Sequence, residues 1–500
     1  MNSHALRAAI AASSDTLRSI MSPSTRTTLA QLALVALLRL LVSALVLRLG
    51  FVAISDDDYA RVTIAQAFAS APRIDPSGTS WLPLPFWTTG AWMMLFGSTL
   101  RAARLASIAV GVAASCGLLL AMRASGSSPR AAFVAAVAAT IMPVSALTGV
   151  ATVPELPTAA LGACSLLLLR RRNRTALLAS ALCVLPATLS RYESWPVALV
   201  VAASAWIDTR SRAADRPAIR PWQRAGISAL ALSGIASWLL WNRIAHGDAL
   251  HFHTRVSSFW FASGHAHGEA ISQLLRGYPW TALAGVPVLS TLVLGALWLV
   301  QDRRALVPWR RPMGGALFVV LALTIMEATG GAPTHHPERT LMLVWMVEWA
   351  FATDLIERTG VIERLRLGSL AAAAIVVALL GRQLVEQAGQ GQADRRAEER
   401  VGAWLGAHAA RDTILIDPVD YGYFAIIAAA GAPARVALSH SIDPRDGSTP
   451  SPFAHEQALR ERIAQTGARW LVVREDRGQA ARLVGSVQAS ESGWEIARVR

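Results

Sequence analysis

Apolar runs of about twenty residues recur along this chain, and they restrict it to folds that hide such runs from water. They fall near 31–53, 101–122, 131–149, 155–170, 175–190, 195–207, 225–244, 281–300, 313–329, 340–356 and 368–385. A helix needs roughly 20 mostly apolar residues to cross a bilayer core, so about eleven transmembrane helices are expected. With 53% hydrophobic and only 16% charged residues, the 500-residue chain is too apolar for an ordinary soluble protein. The fold class expected is mainly α: a polytopic membrane helical bundle.

The net charge of +14, carried on the basic side entirely by arginine, would suit a nucleic-acid binder if it were gathered on one surface. It is not. The arginines cluster at 123–130, 170–174, 210–224, 303–311 and 358–366, in alternate loops between apolar runs. That is the pattern of cytoplasmic loops, so no nucleic-acid partner is expected and the N-terminus is placed in the cytoplasm. Residues 1–30 are rich in Ser, Thr and Arg and read as a cytoplasmic tail. The run from Leu32 to Ile54 is too long for a signal-peptide core and is read as an uncleaved first span of a multi-pass cell (inner) membrane protein. Cys116, Cys164 and Cys183 all lie in apolar segments and are read as packed or lipid-facing thiols.

The other loops carry different chemistry. The first holds Ser55-Asp56-Asp57-Asp58-Tyr59-Ala60-Arg61. Three consecutive carboxylates repel one another, so at a membrane exit they need water, a cation or a substrate to offset them. A plain helix N-cap is the other reading. The loop spans residues 55–100 and includes the aromatic, proline-rich Trp81–Trp87, suited to a membrane interface. The next such loops hold Glu155 and the Arg191–Glu193 pair, which reads as an internal ion pair. Loop 246–280 carries His246, His251, His253, His265 and His267; the two-residue step from His251 to His253 could serve a metal on an extended strand, although a wet interfacial loop is the simpler reading. Glu327, near a span end, is either paired or functional.

After about residue 390 the composition turns polar. Strands are expected at 413–416, 470–473 and 494–499, and helices at 421–430 and 451–465. This reads as a small extracytoplasmic α/β domain, accessory in role, with neither a glycine-rich phosphate loop nor a nucleophile elbow. The chain therefore divides into a tail (1–30), a membrane domain (31–389) and an α/β domain (390–500).

Several short motifs fit one layout. They are Asp56-Asp57-Asp58-Tyr59, the proline stretch Trp81–Trp87, the join Phe96–Leu105 with Arg101 and Arg104, the turn Val153-Pro154-Glu155-Leu156-Pro157, and His336-Pro337-Glu338-Arg339. Over roughly residues 30–380 the chain resembles the GT-C class of integral-membrane glycosyltransferases, in particular family 39-like bacterial relatives of protein O-mannosyltransferases and aminoarabinose transferases. The resemblance implies a GT-C-type bundle and a polyprenyl-phosphate-linked sugar donor. It also implies membrane lipids as surroundings and a cell-envelope acceptor (protein, lipid or glycan). Transfer would invert the anomeric carbon with an Asp as base. Where the class carries Asp-Glu this chain has an Asp triplet, so Asp57 is taken as the base with Asp56 and Asp58 as alternatives. Glu155 would orient the acceptor, Arg339 would hold the lipid phosphate, and Tyr59, Arg104 and His336 would add substrate contacts. No cofactor is required; a divalent cation, Mg or Mn, if bound, would lie at Asp57 and Glu155, with Asp56 or Asp58 as further ligands. The competing readings are a lipid-linked sugar transporter or flippase and a non-catalytic membrane assembly protein. The acids gather at one membrane edge, which favours the transferase; a transport pathway would place them at the midplane.

Overall fold

A computed structural model describes residues 23–207, 219–263, 275–300, 303–329, 336–360, 366–389, 393–409, 411–447 and 449–500. Each expected apolar run is helical over most of its length. Among the described residues, four helical stretches are long and apolar enough to cross a membrane: Ser24–Arg48, Leu100–Ser125, Pro221–His246 and Arg303–Ala328. A fifth crossing arises if Tyr278–Ala284 and Pro287–Leu299, bent by 76° about the Gly285–Val286 break, count as one. Other apolar helices are shorter because the sequence interrupts them. The run 131–149, expected as one span, is split into Pro129–Ile141 and Pro143–Thr148, since Pro143 has no N–H to continue the ladder. The crossings therefore do not map one to one onto the apolar runs.

Small residues set the packing. Helix Met342–Arg358 runs through the interior with Met342, Trp345, Val347 and Trp349 all buried, against the alanine-rich faces of Pro129–Ile141 and Glu155–Leu168. In lipid, close approach of small side chains replaces the hydrophobic drive that operates in water. At Gly149 a Cβ would fall on the Arg39 guanidinium, so only glycine fits there. Arg39, buried in the first helix, donates to the Ser145 carbonyl at 2.8 Å and to the Thr140 carbonyl at 3.4 Å, the latter beside the break at Pro143.

The chain beyond Ala393 forms a separate layered unit. Its sheet has the order β2-β1-β3-β5-β4, with β1 Ile414–Ile416, β2 Val436–Leu438, β3 Trp470–Arg474, β4 Gly485–Glu491 and β5 Trp494–Val499. β1 runs parallel to β2 and β3, with Ile414 opposite Val436 and Trp470. β5 runs antiparallel to β3 with Val472 opposite Ile496, and closes a hairpin with β4. Both faces of the central strands are covered. Ile416, Val472 and Ile496 meet Val401, Leu405 and Ile426 on one side, while Leu415, Leu471 and Val473 meet Phe453, Leu459 and Ala481 on the other. That explains why these strands read as unbroken apolar runs. The helix expected over 451–465 begins only at Glu456, after a short turn at Pro452–Ala454. Helix Arg396–His408 and strands β2 and β4 were not expected from the sequence.

The two units share a face. Helix Asp57–Ser70 lies between helix Leu84–Phe96 and helix Tyr423–Ala430 of the α/β unit, with Tyr59, Val62 and Ala65 packed on Ala425 and Ala428. Gln66 Nε2 adds a hydrogen bond to the Ala428 carbonyl at 2.8 Å.

Candidate active site

The first long loop is not an open excursion: it folds into the helices Asp57–Ser70 and Leu84–Phe96. The Asp triplet sits where the first of these begins. Successive residues on a helix point about 100° apart, so three adjacent carboxylates there diverge. The structure uses this to separate them. Asp56 turns to the α/β unit, where both its oxygens accept hydrogen bonds from Arg395, at 2.8 and 2.9 Å. Asp58 turns inward and is buried. Its carboxylate accepts from the backbone N–H of Ile54 at 3.1 Å, Ser55 at 3.2 Å and Thr152 at 2.8 Å, tying the triplet to the 150–153 turn. Burial pushes the Asp58 carboxyl up to about 6; the Thr152 and Ser55 N–H groups oppose the rise, and nearby Glu155 adds to it. Asp57 alone is exposed, and among the described residues no hydrogen bond or ion pair holds its carboxylate.

Asp57 faces a partly open cavity of about 730 Å³ between the membrane helices and the α/β unit. One turn along the same helix, Arg61 enters the same cavity, as an i, i+4 spacing requires. Its guanidinium is buried, lies 4.4 Å from the Trp81 ring centroid, and has no hydrogen-bond partner at Nε. No carboxylate pairs with it among the described residues. Burial lowers its pKa, the charges of nearby Glu155 and Asp57 oppose the fall, and the arginine stays charged without a direct carboxylate contact.

The remaining charges are mutually engaged. Glu155, at the first turn of helix Glu155–Leu168, is buried between Arg191 at 3.0 Å and Arg339 at 3.6 Å. Arg191 also bonds Glu193, the internal pair expected from the sequence, yet its second contact with Glu155 makes it part of the site. Arg339 keeps a buried Nε without a partner. His336 lines the cavity and lies 3.3 Å from Glu338. Thus Asp57, Asp56, Glu155, Arg339 and His336 are brought to one cavity.

Tyr59 and Arg104 are placed elsewhere. The Tyr59 hydroxyl donates to Glu399 at 2.6 Å and Arg104 pairs with the same carboxylate at 2.5 Å, which fastens the membrane helices to helix Arg396–His408 away from the cavity. The metal expectation at His251 and His253 meets a different backbone. These residues open the helix His251–Ala262, where a two-residue step turns by about 200°, and the rings diverge. His251 stacks on His246 instead, with centroids 4.0 Å apart; His265 and His267 lie outside the described residues. Among the described residues no three His, Cys, Asp or Glu side chains converge as a metal cage. Glu155, expected to share a cation with Asp57, meets both guanidinium groups through Oε1, while its buried Oε2 has no hydrogen-bond partner among the described residues.

Arg61 and Arg191 were not singled out as site residues from the sequence. The i, i+4 relation of Asp57 and Arg61 was the available signal. On the other side of the cavity stand Arg255, Phe259, Tyr421, Asp443 and Arg445, three of them from the α/β unit, and no sequence pattern linked them to the triplet.

No protein-family model matches the sequence, and no curated protein matches it. Among solved structures, the fold is similar to ArnT from Cupriavidus metallidurans bound to undecaprenyl phosphate, with a TM-score of 0.62 and 12% identity over 93% of this chain and 97% of that one. The apo form of ArnT from Cupriavidus metallidurans aligns at a TM-score of 0.59 and 14% identity, over 92% and 97%. The likeness spans both the helical bundle and the α/β unit. The chain has the fold of these ArnT structures, a helical bundle with apolar helices of membrane-crossing length joined to a small α/β unit.

Proposed function

We propose that the protein is a membrane glycosyltransferase that moves a sugar from a polyprenyl-phosphate donor to a cell-envelope acceptor on the outer side of the membrane. The observation that carries this reading is an unengaged carboxylate, Asp57, and a buried guanidinium without a carboxylate partner, Arg61, facing one cavity. A displacement at an anomeric carbon needs both: a base for the incoming hydroxyl and a cation for the departing phosphate. The similar structure holding undecaprenyl phosphate supports a lipid phosphate as the leaving group.

In this reading the acceptor oxygen forms a bond to the anomeric carbon as the bond from that carbon to the phosphate oxygen breaks. The hydroxyl proton passes to Asp57, and the electron pair leaves on the phosphate. Arg61 meets that charge, with the free Nε of Arg339 as a second donor. Attack opposite the leaving phosphate inverts the carbon. Asp56 and Asp58 hold Asp57 in place through Arg395 and the 150–153 turn. Glu155 keeps Arg191 and Arg339 oriented and prevents three buried guanidinium groups from repelling one another. No metal is called on, because the arginines supply the positive charge.

The test is product analysis with purified protein, an undecaprenyl-phosphate sugar and a cell-envelope fraction. Release of undecaprenyl phosphate together with sugar in the envelope fraction supports the reading. Movement of intact donor across a liposome membrane, with no release, would replace it with a transporter.

A further inference from the structure

The cavity has a second wall whose chemistry the donor does not use. It is built by helix His251–Ala262 and by two parts of the α/β unit, the Tyr421–Phe424 segment and the loop after β2. Arg445 is fixed there. It bonds Asp443 through Nε at 2.8 Å and again through its second nitrogen, reaches the Arg255 carbonyl at 3.4 Å, and sits 5.6 Å from the Phe259 ring centroid. Asp446 accepts from Ser441 at 2.6 Å. Against this fixed frame, three groups are unspent. The Arg255 guanidinium, half-buried, has no hydrogen-bond or carboxylate partner among the described residues, and neither the Tyr421 nor the Tyr423 hydroxyl has one.

From this wall we infer that the acceptor is a saccharide, and that Arg255, Tyr421, Tyr423, Asp443 and Arg445 form its subsite. The inference rests on the transferase reading. Three properties select the class. The formal charges of Arg255, Arg445, Asp443 and Asp446 sum to zero, so the wall does not select a strongly charged acceptor. Aromatic faces, with Tyr421 stacked nearly parallel to Phe424 at 6.5 Å, give flat apolar surfaces of the kind that sugar C–H faces cover. Planar guanidinium and carboxylate groups at the ring edges match pairs of neighbouring hydroxyls. A lipid chain would leave the Arg255 guanidinium and the two tyrosine hydroxyls unpaired. The two walls face one cavity, so a saccharide hydroxyl bound here is directed toward Asp57 and the anomeric carbon of the donor.

The experiment is binding of the full-length protein in detergent to an oligosaccharide array, with Ser/Thr-rich peptides and sugar-free phospholipid micelles as the other arms. Oligosaccharides are expected to bind, at least tenfold more weakly to Arg255→Gln and to Tyr421→Ala, with Tyr421→Phe intermediate. Binding of undecaprenyl phosphate, measured on the same variants, should stay within twofold of wild type and doubles as the control for folding. The inference is overturned if no oligosaccharide binds, if peptides or micelles bind in their place, or if both substitutions leave oligosaccharide binding unchanged. Loss of the transferase reading would look different: wild type would release no undecaprenyl phosphate from an undecaprenyl-phosphate sugar, whatever the array showed.

Discussion

Arg395 holds both carboxylate oxygens of Asp56, at 2.8 and 2.9 Å, across 339 residues of sequence. Through this clamp the α/β unit fixes the first residue of the triplet, and the 150–153 turn fixes the third. Asp57 is left free but narrowly placed. Because misplacing a catalytic group by about 1 Å can cost on the order of 100-fold in rate, Arg395→Ala and Asp56→Asn should each lower transfer roughly 10- to 100-fold. Undecaprenyl-phosphate binding should persist in both. The double variant should be no worse than either single one, since both remove the same contact. Rates of single-turnover transfer check this, and additive losses would sink it.

Arg61 is expected to dominate recognition of the lipid phosphate. A charge-assisted hydrogen bond is worth about 1.5–3 kcal/mol, so Arg61→Gln should weaken undecaprenyl-phosphate binding on the order of 10- to 100-fold. Arg339 is shared with Glu155, so Arg339→Gln should weaken binding less and lower thermal stability more. Titration of both variants with undecaprenyl phosphate gives the order of effects; the reverse order would move the phosphate to Arg339.

Asp58 should make the folded protein sensitive to pH. Its carboxyl is raised from 3.8 to about 6, so the folded state holds a proton that the unfolded state has lost. The favourable contribution is complete below pH 4 and disappears as pH rises through about 6. The size is roughly 3 kcal/mol, at 1.36 kcal/mol per pKa unit. Thermal unfolding in detergent between pH 4 and 7 should show this decline, and Asp58→Asn, which cannot ionise, should remove it. An unchanged slope in that variant would assign the pH dependence to another group.

Chelation should leave the reaction intact. With Glu155 held by Arg191 and Arg339, no oxygen-ligand cage is present among the described residues for a hard cation. Transfer in excess EDTA is expected to match transfer in Mg or Mn. A loss restored by adding back either ion would contradict this account.

The bundle was legible because its apolar runs are long and sharply bounded by arginine-rich loops. Helix breaks such as Pro143 and Gly285 leave a run's apolar composition unchanged, yet they decide which runs become single long helices. In the α/β unit the fully buried strands at Ile414 and Trp470 stood out. Val436–Leu438 is three residues long and half-buried, and Gly485–Glu491 is an edge strand, so neither carried a clear pattern. The triplet and Glu155 were visible as acids in a hydrophobic setting. Their division of labour was not, because it depends on partners hundreds of residues away, Arg395 for Asp56 and Glu399 for Tyr59. The buried Arg39 was missed for a similar reason: its partners are backbone carbonyls, which leave no mark in the sequence.

The account turns on Asp57, and the direct measurement is sugar transfer by Asp57→Asn beside wild type, with undecaprenyl-phosphate binding recorded on the same samples. General-base catalysis contributes about 10²- to 10⁴-fold. The variant should therefore bind the lipid as wild type does and transfer at least about 100-fold more slowly. Transfer at the wild-type rate would contradict the assignment and return the role of base to Asp56 or Asp58.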